Sequence, residues 1–196
     1  MPKLGMEPVR RAALVDATID CIGRAGSLDV TVGQIAKAAG MSSALAHHYF
    51  GAKDQIFLAA MRHILTQYGD GVRKALAGVK TPRARLEAIV QASFDTTQFR
   101  RPVISAWLNF YVQAHMSKDA ERLLVVYQRR LRSNLMHELR PLIGARAGDG
   151  ADTVAALIDG FYIRAALGAG AMDGAGPARA VLEVMDMLIG GAQTHG

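Results

Sequence analysis

The stretch from Thr31 to Phe50 reads TVGQIAKAAGMSSALAHHYF, and its reading decides the fold. Val32, Ile35, Ala36 and Ala39 fall at i, i+3, i+4 and i+7, which places small apolar side chains on one face of a helix. Thr31 stands just before that run with Gln34 three residues on, a capping box in which each side chain satisfies an orphan backbone N–H. Gly40 follows the last periodic residue, where a glycine takes the left-handed conformation that ends a helix. Ser42 or Ser43 then caps a second helix through His48. Two short helices joined by a tight turn make a helix-turn-helix, whose second helix lies in the DNA major groove while the first crosses the backbone.

The groove-facing helix would carry Ser42, Ser43, Ala44, Leu45, His47 and His48. Serine and histidine donate to or accept from phosphates and base edges, and alanine is small enough to meet a thymine methyl. On these features alone an ordinary helical hairpin stays open beside the DNA-reading motif.

The run T-x-x-Q-I-A-x-x-A-G-x-S from Thr31, then His48-Tyr49-Phe50, then Lys53, resembles the N-terminal signature of the TetR family of bacterial repressors. Later segments are similar to the narrower BetI-type group, the choline-responsive repressors of glycine betaine synthesis. They are the opening Met1 to Met6, Ser93 to Gln98, Ala106-Trp107-Leu108, Arg130 to Leu135, and Ala156 to Leu167. The resemblance implies an all-α protein with a three-helix DNA-binding head, a C-terminal helical domain for ligand binding and dimerisation, and about nine helices in all. It also implies Thr31, Gln34 and the turn and groove-helix residues on DNA, with Tyr49 and Lys53 at positions that touch its backbone. The chain departs from the group at Ser42, Ser43, Ala44, Leu45, Ala46 and His47, so an operator sequence does not carry over.

The 196 residues fit one domain or two small ones, and a hydrophobic content of 51% is ample for a packed core. The most apolar stretch, Val154 to Ala171, is interrupted by Asp159 and Arg164 and falls short of a membrane span. Met1 to Met6 lacks the apolar core of a signal peptide. The single cysteine, Cys21, shares the apolar side of the first helix with Leu14, Ala17 and Ile22, as expected of a core residue in a reducing cytoplasm. Net charge is +6, yet the first 52 residues are nearly balanced: Lys3, Arg10, Arg11, Arg24 and Lys37 oppose Glu7, Asp16, Asp20 and Asp29. The basic surplus lies between Arg73 and Arg101 and between Lys118 and Arg140, so the motif rather than overall basicity argues for DNA.

Pro8 to Gly26 reads as a first helix, with Arg10 and Arg11 near its start within reach of phosphate or simply facing solvent. Residues 1–52 form the expected head. A long helix over 53–78 joins it to a ligand-binding and dimerisation domain over 79–196, with a bend or loosening expected at Gly69 and Gly71. Further helices are expected at about 82–97, 102–115, 119–143, 152–169 and 177–191, with loops at Gly144 to Gly150 and Asp173 to Gly176.

In the second half, Trp107, Phe110 and Tyr111 share one helical face, and Asp159 and Tyr162 share another. An aromatic stripe at this spacing also suits a plain core. Asp159, however, lies in an otherwise apolar helix and Asp95 follows Phe94, and a buried carboxylate needs a partner. A quaternary ammonium is held over aromatic faces with a carboxylate for charge. With the resemblance, this makes choline or a related cation the expected effector, with Asp95 or Asp159 as counter-charge; pairing of Asp159 with Arg164 stays open. The last two helices carry Leu157, Ile158, Phe161, Ala165 and Leu167, then Val181, Leu182, Met185, Leu188 and Ile189, more apolar surface than one chain needs. A homodimer on a palindromic operator is the expected use.

Little in the chain suggests an enzyme. Cys21 is in the expected core, His47 and His48 in the reading helix, and His63 has no H-E-x-x-H or cysteine set around it. The run GAGAMDGAG from Gly168 to Gly176 is not G-x-G-x-x-G and follows a helix rather than a strand, so no cofactor or metal is expected. A TetR-type regulator with another hydrophobic or cationic inducer is the alternative reading.

Overall fold

The computed structural model describes residues 6–168 and 173–193, and these are all-helical: nine α-helices with one 3-10 turn. The expected opening segment, except Met6, and part of the run from Gly168 to Gly176 lie outside the described residues.

The head is α1 (Met6–Ala25), α2 (Val32–Ala38) and α3 (Ser43–Phe50). The capping box forms: Gln34 N–H donates to Thr31 Oγ1 at 3.1 Å, and Thr31 N–H donates to Gln34 Oε1 at 2.7 Å. Gly40, with φ +68, turns the chain, and Ser42 Oγ caps α3 by accepting from Leu45 N–H at 3.3 Å. Leu14, Ile19 and Ile22 of α1, Ile35 and Ala36 of α2 and Ala46 of α3 are all but fully buried, and this shared core fixes the angle between the motif helices. Cys21 is in that core at 7% exposure.

The next helix, α4 (Lys53–Leu76), leaves the end of α3 after two residues and runs unbroken past Gly69 and Gly71, contrary to the expected loosening. Each glycine costs about 1 kcal/mol relative to alanine. Burial of Ile64 and Val72 on either side of the pair, and the Tyr68 contact with Ser93 on a neighbouring helix, offset that cost.

The body is built from α5 (Pro82–Ser93), α6 (Arg101–Met116), α7 (Lys118–Ile143), α8 (Ala147–Leu167) and α9 (Ala175–Gln193). Thr81 caps α5 with Pro82 in its first turn, as the sequence predicts. α5 stops at Ser93 rather than 97, because the Asp95 carboxylate takes the N–H groups of Thr97 and Gln98 and folds the chain into a turn. Gly144 to Gly150 is not a loop: only Gly144, φ +58, turns the chain, and α8 starts at Ala147. Gly150 lies instead where α8 crosses α7; a Cβ there would come within 3.0 Å of Ile143 Cδ1. Two forked arginine pairs tie the layers together, Arg83 on Asp186 (2.7 and 3.0 Å) and Arg132 on Asp152 (2.6 and 3.1 Å).

Candidate functional site

Two regions bear on function, the outer face of the head and a small cavity in the body. On α3, Ser43, Ala44, His47 and His48 are exposed, Leu45 is half-buried, and Ala46 alone is fully buried. Thr31, Gln34 and Ser42 are exposed on the same motif, each already engaged in a cap. Gly33 lets α3 approach: a Cβ at that position would meet Ser43 Oγ at 3.3 Å.

His47 Nδ1 lies 2.7 Å from the carbonyl oxygen of Gly51. A carbonyl has no proton to give, so Nδ1 is the donor, and in the neutral ring Nε2 is left as a bare acceptor. Tyr49 and Phe50 lie half-buried beneath the Arg11 guanidinium, whose carbon is 5.7 Å and 5.0 Å from their ring centres, and Glu7 holds that arginine at 2.9 Å. Arg11 is thus committed to the head's own surface. Lys53 Nζ donates to Leu28 O at 3.0 Å from an exposed position, tying the start of α4 to the loop before α2.

In the body, five helices and the turn after α5 meet at a small cavity. Tyr68 comes from α4, Ser93 from α5, Trp107 and Tyr111 from α6, Tyr127 from α7, and Ile158, Asp159 and Tyr162 from α8; Gln98 of the turn completes it. These side chains nearly fill the space between them, and the cavity volume of about 10 Å3 is room for about one water molecule. Trp107 is the hub, with ring centres 4.6 Å from Tyr127, 5.8 Å from Tyr111 and 6.2 Å from Tyr162. The only tryptophan and four of the five tyrosines of the chain therefore line one space.

The polar atoms around it are mostly engaged. Tyr162 Oη donates to Ser93 O at 2.6 Å, and Ser93 Oγ donates to Ile89 O at 2.9 Å while the Tyr68 hydroxyl stands 3.2 Å from that Oγ. Tyr127 Oη donates to Asp159 Oδ1 at 3.3 Å. Burial pushes the Tyr68 phenol up to about 12 and those of Tyr111, Tyr127 and Tyr162 above their ordinary value, the nearby Asp159 charge adding to each. All four are neutral phenols at physiological pH. Burial also raises the Asp159 carboxyl above 3.8, against the hydrogen bonds from Tyr111 and Tyr127 that favour its ionised form. No arginine, lysine or histidine among the described residues pairs with it, Arg164 included.

Four of the six residues expected at a ligand site, Trp107, Tyr111, Asp159 and Tyr162, are thus brought together, and two are not. Asp95 is spent on its own turn, where Oδ1 accepts from Thr97 N, Thr97 Oγ1 and Gln98 N, and it faces a separate cleft beside Lys74. Phe110 is fully buried behind Trp107, edge-on to it and to Phe57 of α4. Tyr68, Tyr127 and Gln98 were not singled out from sequence. The available signal was a lone tyrosine on the buried face of each of two long charged helices.

A helix-turn-helix head set on a larger helical body is the architecture of a DNA-binding transcriptional regulator. The chain belongs to the TetR family of bacterial regulatory proteins. Residues 14–60 match the family's N-terminal model and residues 82–190 that of the BetI-type transcriptional repressor C-terminal domain. It is 54% identical over 176 residues to the HTH-type transcriptional regulator BetI of Brucella melitensis, covering 89% of each chain. With the BetI of Rhizobium meliloti it shares 49% over 168 residues, 85% of this chain and 83% of the relative. A transcriptional regulator from Rhodococcus sp. RHA1 shares the fold with a TM-score of 0.82 at 21% identity, over 92% of this chain and 96% of that one. So does a regulator from Saccharomonospora viridis solved in complex with choline, at 0.79 and 22%, over 90% and 95%. The chain is a transcriptional repressor of BetI type, and its relatives are regulators rather than enzymes. No helix among the described residues is long and apolar enough to cross a membrane.

Proposed function

We propose that this chain represses the genes that convert choline to glycine betaine in the cytoplasm, and that choline bound in the aromatic cavity relieves the repression. Asp159 is the observation that carries the reading: a carboxylate set among tyrosines and a tryptophan, raised by burial and without a cationic partner among the described residues. A quaternary ammonium supplies the missing charge and, having no N–H to donate, is held over aromatic faces at about 0.5 to 2 kcal/mol each. The BetI relatives and the choline-bound regulator of the same fold support the same ligand. The side chains nearly fill the cavity, so choline enters only as the rings move apart around it.

A homodimer presents two α3 helices to a palindromic operator, its half-sites about 34–36 Å apart. Thr31, Gln34, Ser42, Ser43, Ala44, Leu45, His47, His48, Tyr49 and Lys53 are the residues assigned to the DNA. Dimerisation uses α8 and α9, where Leu167 and Met187 are more than two-thirds exposed and Ile163 is also exposed. Ile158, Val181 and Met185, counted toward that surface from sequence, are instead buried in the chain's own core.

Choline reaches the heads through two helices. α4 carries Tyr68 in the cavity and begins two residues after α3, and α6 carries Trp107 and Tyr111 and packs on α1. A coupling of about 1–3 kcal/mol changes operator affinity about 5- to 150-fold. The test is to titrate choline while following the fluorescence of Trp107, with sodium chloride at matched ionic strength as control, and to repeat it with operator DNA present. A saturable change that weakens on DNA supports the reading; equal affinity with and without DNA overturns the switch.

A further inference from the structure

The Gln98 side chain is 2% exposed and lines the aromatic cavity, and its Nε2 has no hydrogen-bond partner. Its backbone is fixed, because the N–H of Gln98 donates to Asp95 Oδ1 and to Asp95 O, both at 3.1 Å. The side-chain amide is confined by its burial among the cavity residues. The hydroxyls of Tyr68, Tyr127 and Tyr162 and that of Ser93 all have partners within the protein. Buried donors are paired in folded proteins with few exceptions, so an amide N–H facing a cavity calls for an acceptor there, which a water or an oxygen of the ligand supplies.

We infer that Gln98 is a specificity-determining residue that hydrogen-bonds an alcohol oxygen of the ligand, so that the cavity selects a quaternary ammonium alcohol over an equally sized quaternary ammonium without the hydroxyl. The inference rests on the cavity being a quaternary-ammonium site. The ammonium head neither donates an N–H nor accepts, so it leaves the amide unmet; an oxygen on the same small molecule is needed. A hydroxyl accepts from Nε2 and has a proton of its own to give. A carboxylate also accepts, but it brings a second anion into the space that Asp159 occupies.

The experiment is calorimetric titration of the full chain with choline and with propyltrimethylammonium, in which a methyl group replaces the hydroxyl. Wild type binds choline about ten-fold more tightly or better, because the analogue leaves a buried donor unpaired. In Gln98→Leu the two ligands bind within about two-fold of one another, and the ligand-free melting temperature is not lowered, since an orphan donor has been removed. Gln98→Met serves the same purpose should the leucine variant fail to fold. The inference is overturned if wild type does not distinguish the two compounds, if the substitution leaves their affinity ratio unchanged, or if glycine betaine binds more tightly than choline. Binding of both compounds without preference defeats this inference and leaves the ammonium cage standing; binding of neither defeats both.

Discussion

Gly23 of α1 and Pro102 of α6 meet at bare backbone: a Cβ built on Gly23 would lie 2.5 Å from the Cα of Pro102 and 2.6 Å from its Cβ. Head and body are in direct contact there, one and a half turns along α6 from Trp107. Asn109 Nδ2 donates to Gly26 O at 3.4 Å further along the same helix. Because the opposing atoms are backbone and a proline ring, Gly23→Ala forces α1 and α6 apart rather than displacing a flexible side chain. The expected cost is about 1–3 kcal/mol of stability, as for other overpacked cores. Thermal unfolding measures that cost. Operator binding with and without choline measures the second expectation, a smaller choline effect on DNA affinity than in wild type.

Asp159 gives a pH dependence of definite sign. Its folded-state value is raised above 3.8, so between 3.8 and the raised value the folded chain holds more proton than the unfolded one, and stability falls as pH rises through that window. Above it the ionised carboxylate is a constant cost to the ligand-free protein. Asp159→Asn removes the charge and keeps the shape. The variant is therefore expected to melt higher than wild type at neutral pH without ligand, with the difference shrinking at acid pH. It is also expected to lose the stabilisation by choline that the proposed site gives wild type. In wild type, choline affinity falls as pH drops toward the Asp159 value. Melting curves over a pH series, with and without choline, check all three; an Asn variant that choline still stabilises as strongly as wild type removes Asp159 from the site.

Local signals made the head legible from sequence, while the cavity depends on contacts between distant segments. The capping box at Thr31 and Gln34, the left-handed Gly40 and the Ser42 cap are set within a few residues of one another, and each stands as read. Helical spacing likewise put Trp107 and Tyr111 on one face and Asp159 and Tyr162 on another. It does not say which faces of five helices converge, so nothing local marks Tyr68, Tyr127 and Gln98, and the place of Asp95 after Phe94 gives it the same expected role as Asp159. Asp95 differs because Thr97 and Gln98 offer it N–H groups two and three residues away. Glycine counts mislead in the same manner: Gly150 lies inside a helix because Ile143 and Leu139 of α7 pack on it, and Gly69 and Gly71 do so because Ile64 and Val72 on either side of them are buried.

Arg85 and Glu138 form the most buried ion pair among the described residues. The guanidinium Nε donates to Glu138 Oε1 at 2.7 Å, with side-chain exposures of 28% and 7%, and Arg85 Nη1 also donates to Val79 O at 3.1 Å. The pair joins α5 to α7 and to the link after α4. Removing one partner strands a charge, so Glu138→Ala is expected to cost about 3–5 kcal/mol in urea unfolding. Replacing both with apolar residues of similar size, Arg85→Met with Glu138→Leu, recovers most of that loss. A double variant as unstable as Glu138→Ala alone would show that the Val79 contact, not the charge pair, carries the stability.

His47 gives the reading helix a directional preference. Donation from Nδ1 to Gly51 O leaves Nε2 as an acceptor in the neutral ring, on an exposed face of α3. An acceptor repels a phosphate oxygen. In the major groove it pairs only with a base that offers an amino group, adenine N6 or cytosine N4, whereas guanine and thymine present acceptors there. In selection of operators from a random DNA pool, wild type is expected to require adenine or cytosine at one symmetric pair of positions, and His47→Ala to lose that requirement alone. The penalty for the wrong base at those positions is about 1–3 kcal/mol in wild type and is absent in the variant. Because no phosphate contact is removed, the slope of affinity against salt stays unchanged. A uniform loss over all sequences with a shallower salt slope, or a wild-type preference for guanine, would mean that the ring donates from both nitrogens and lies on the DNA backbone or on guanine instead.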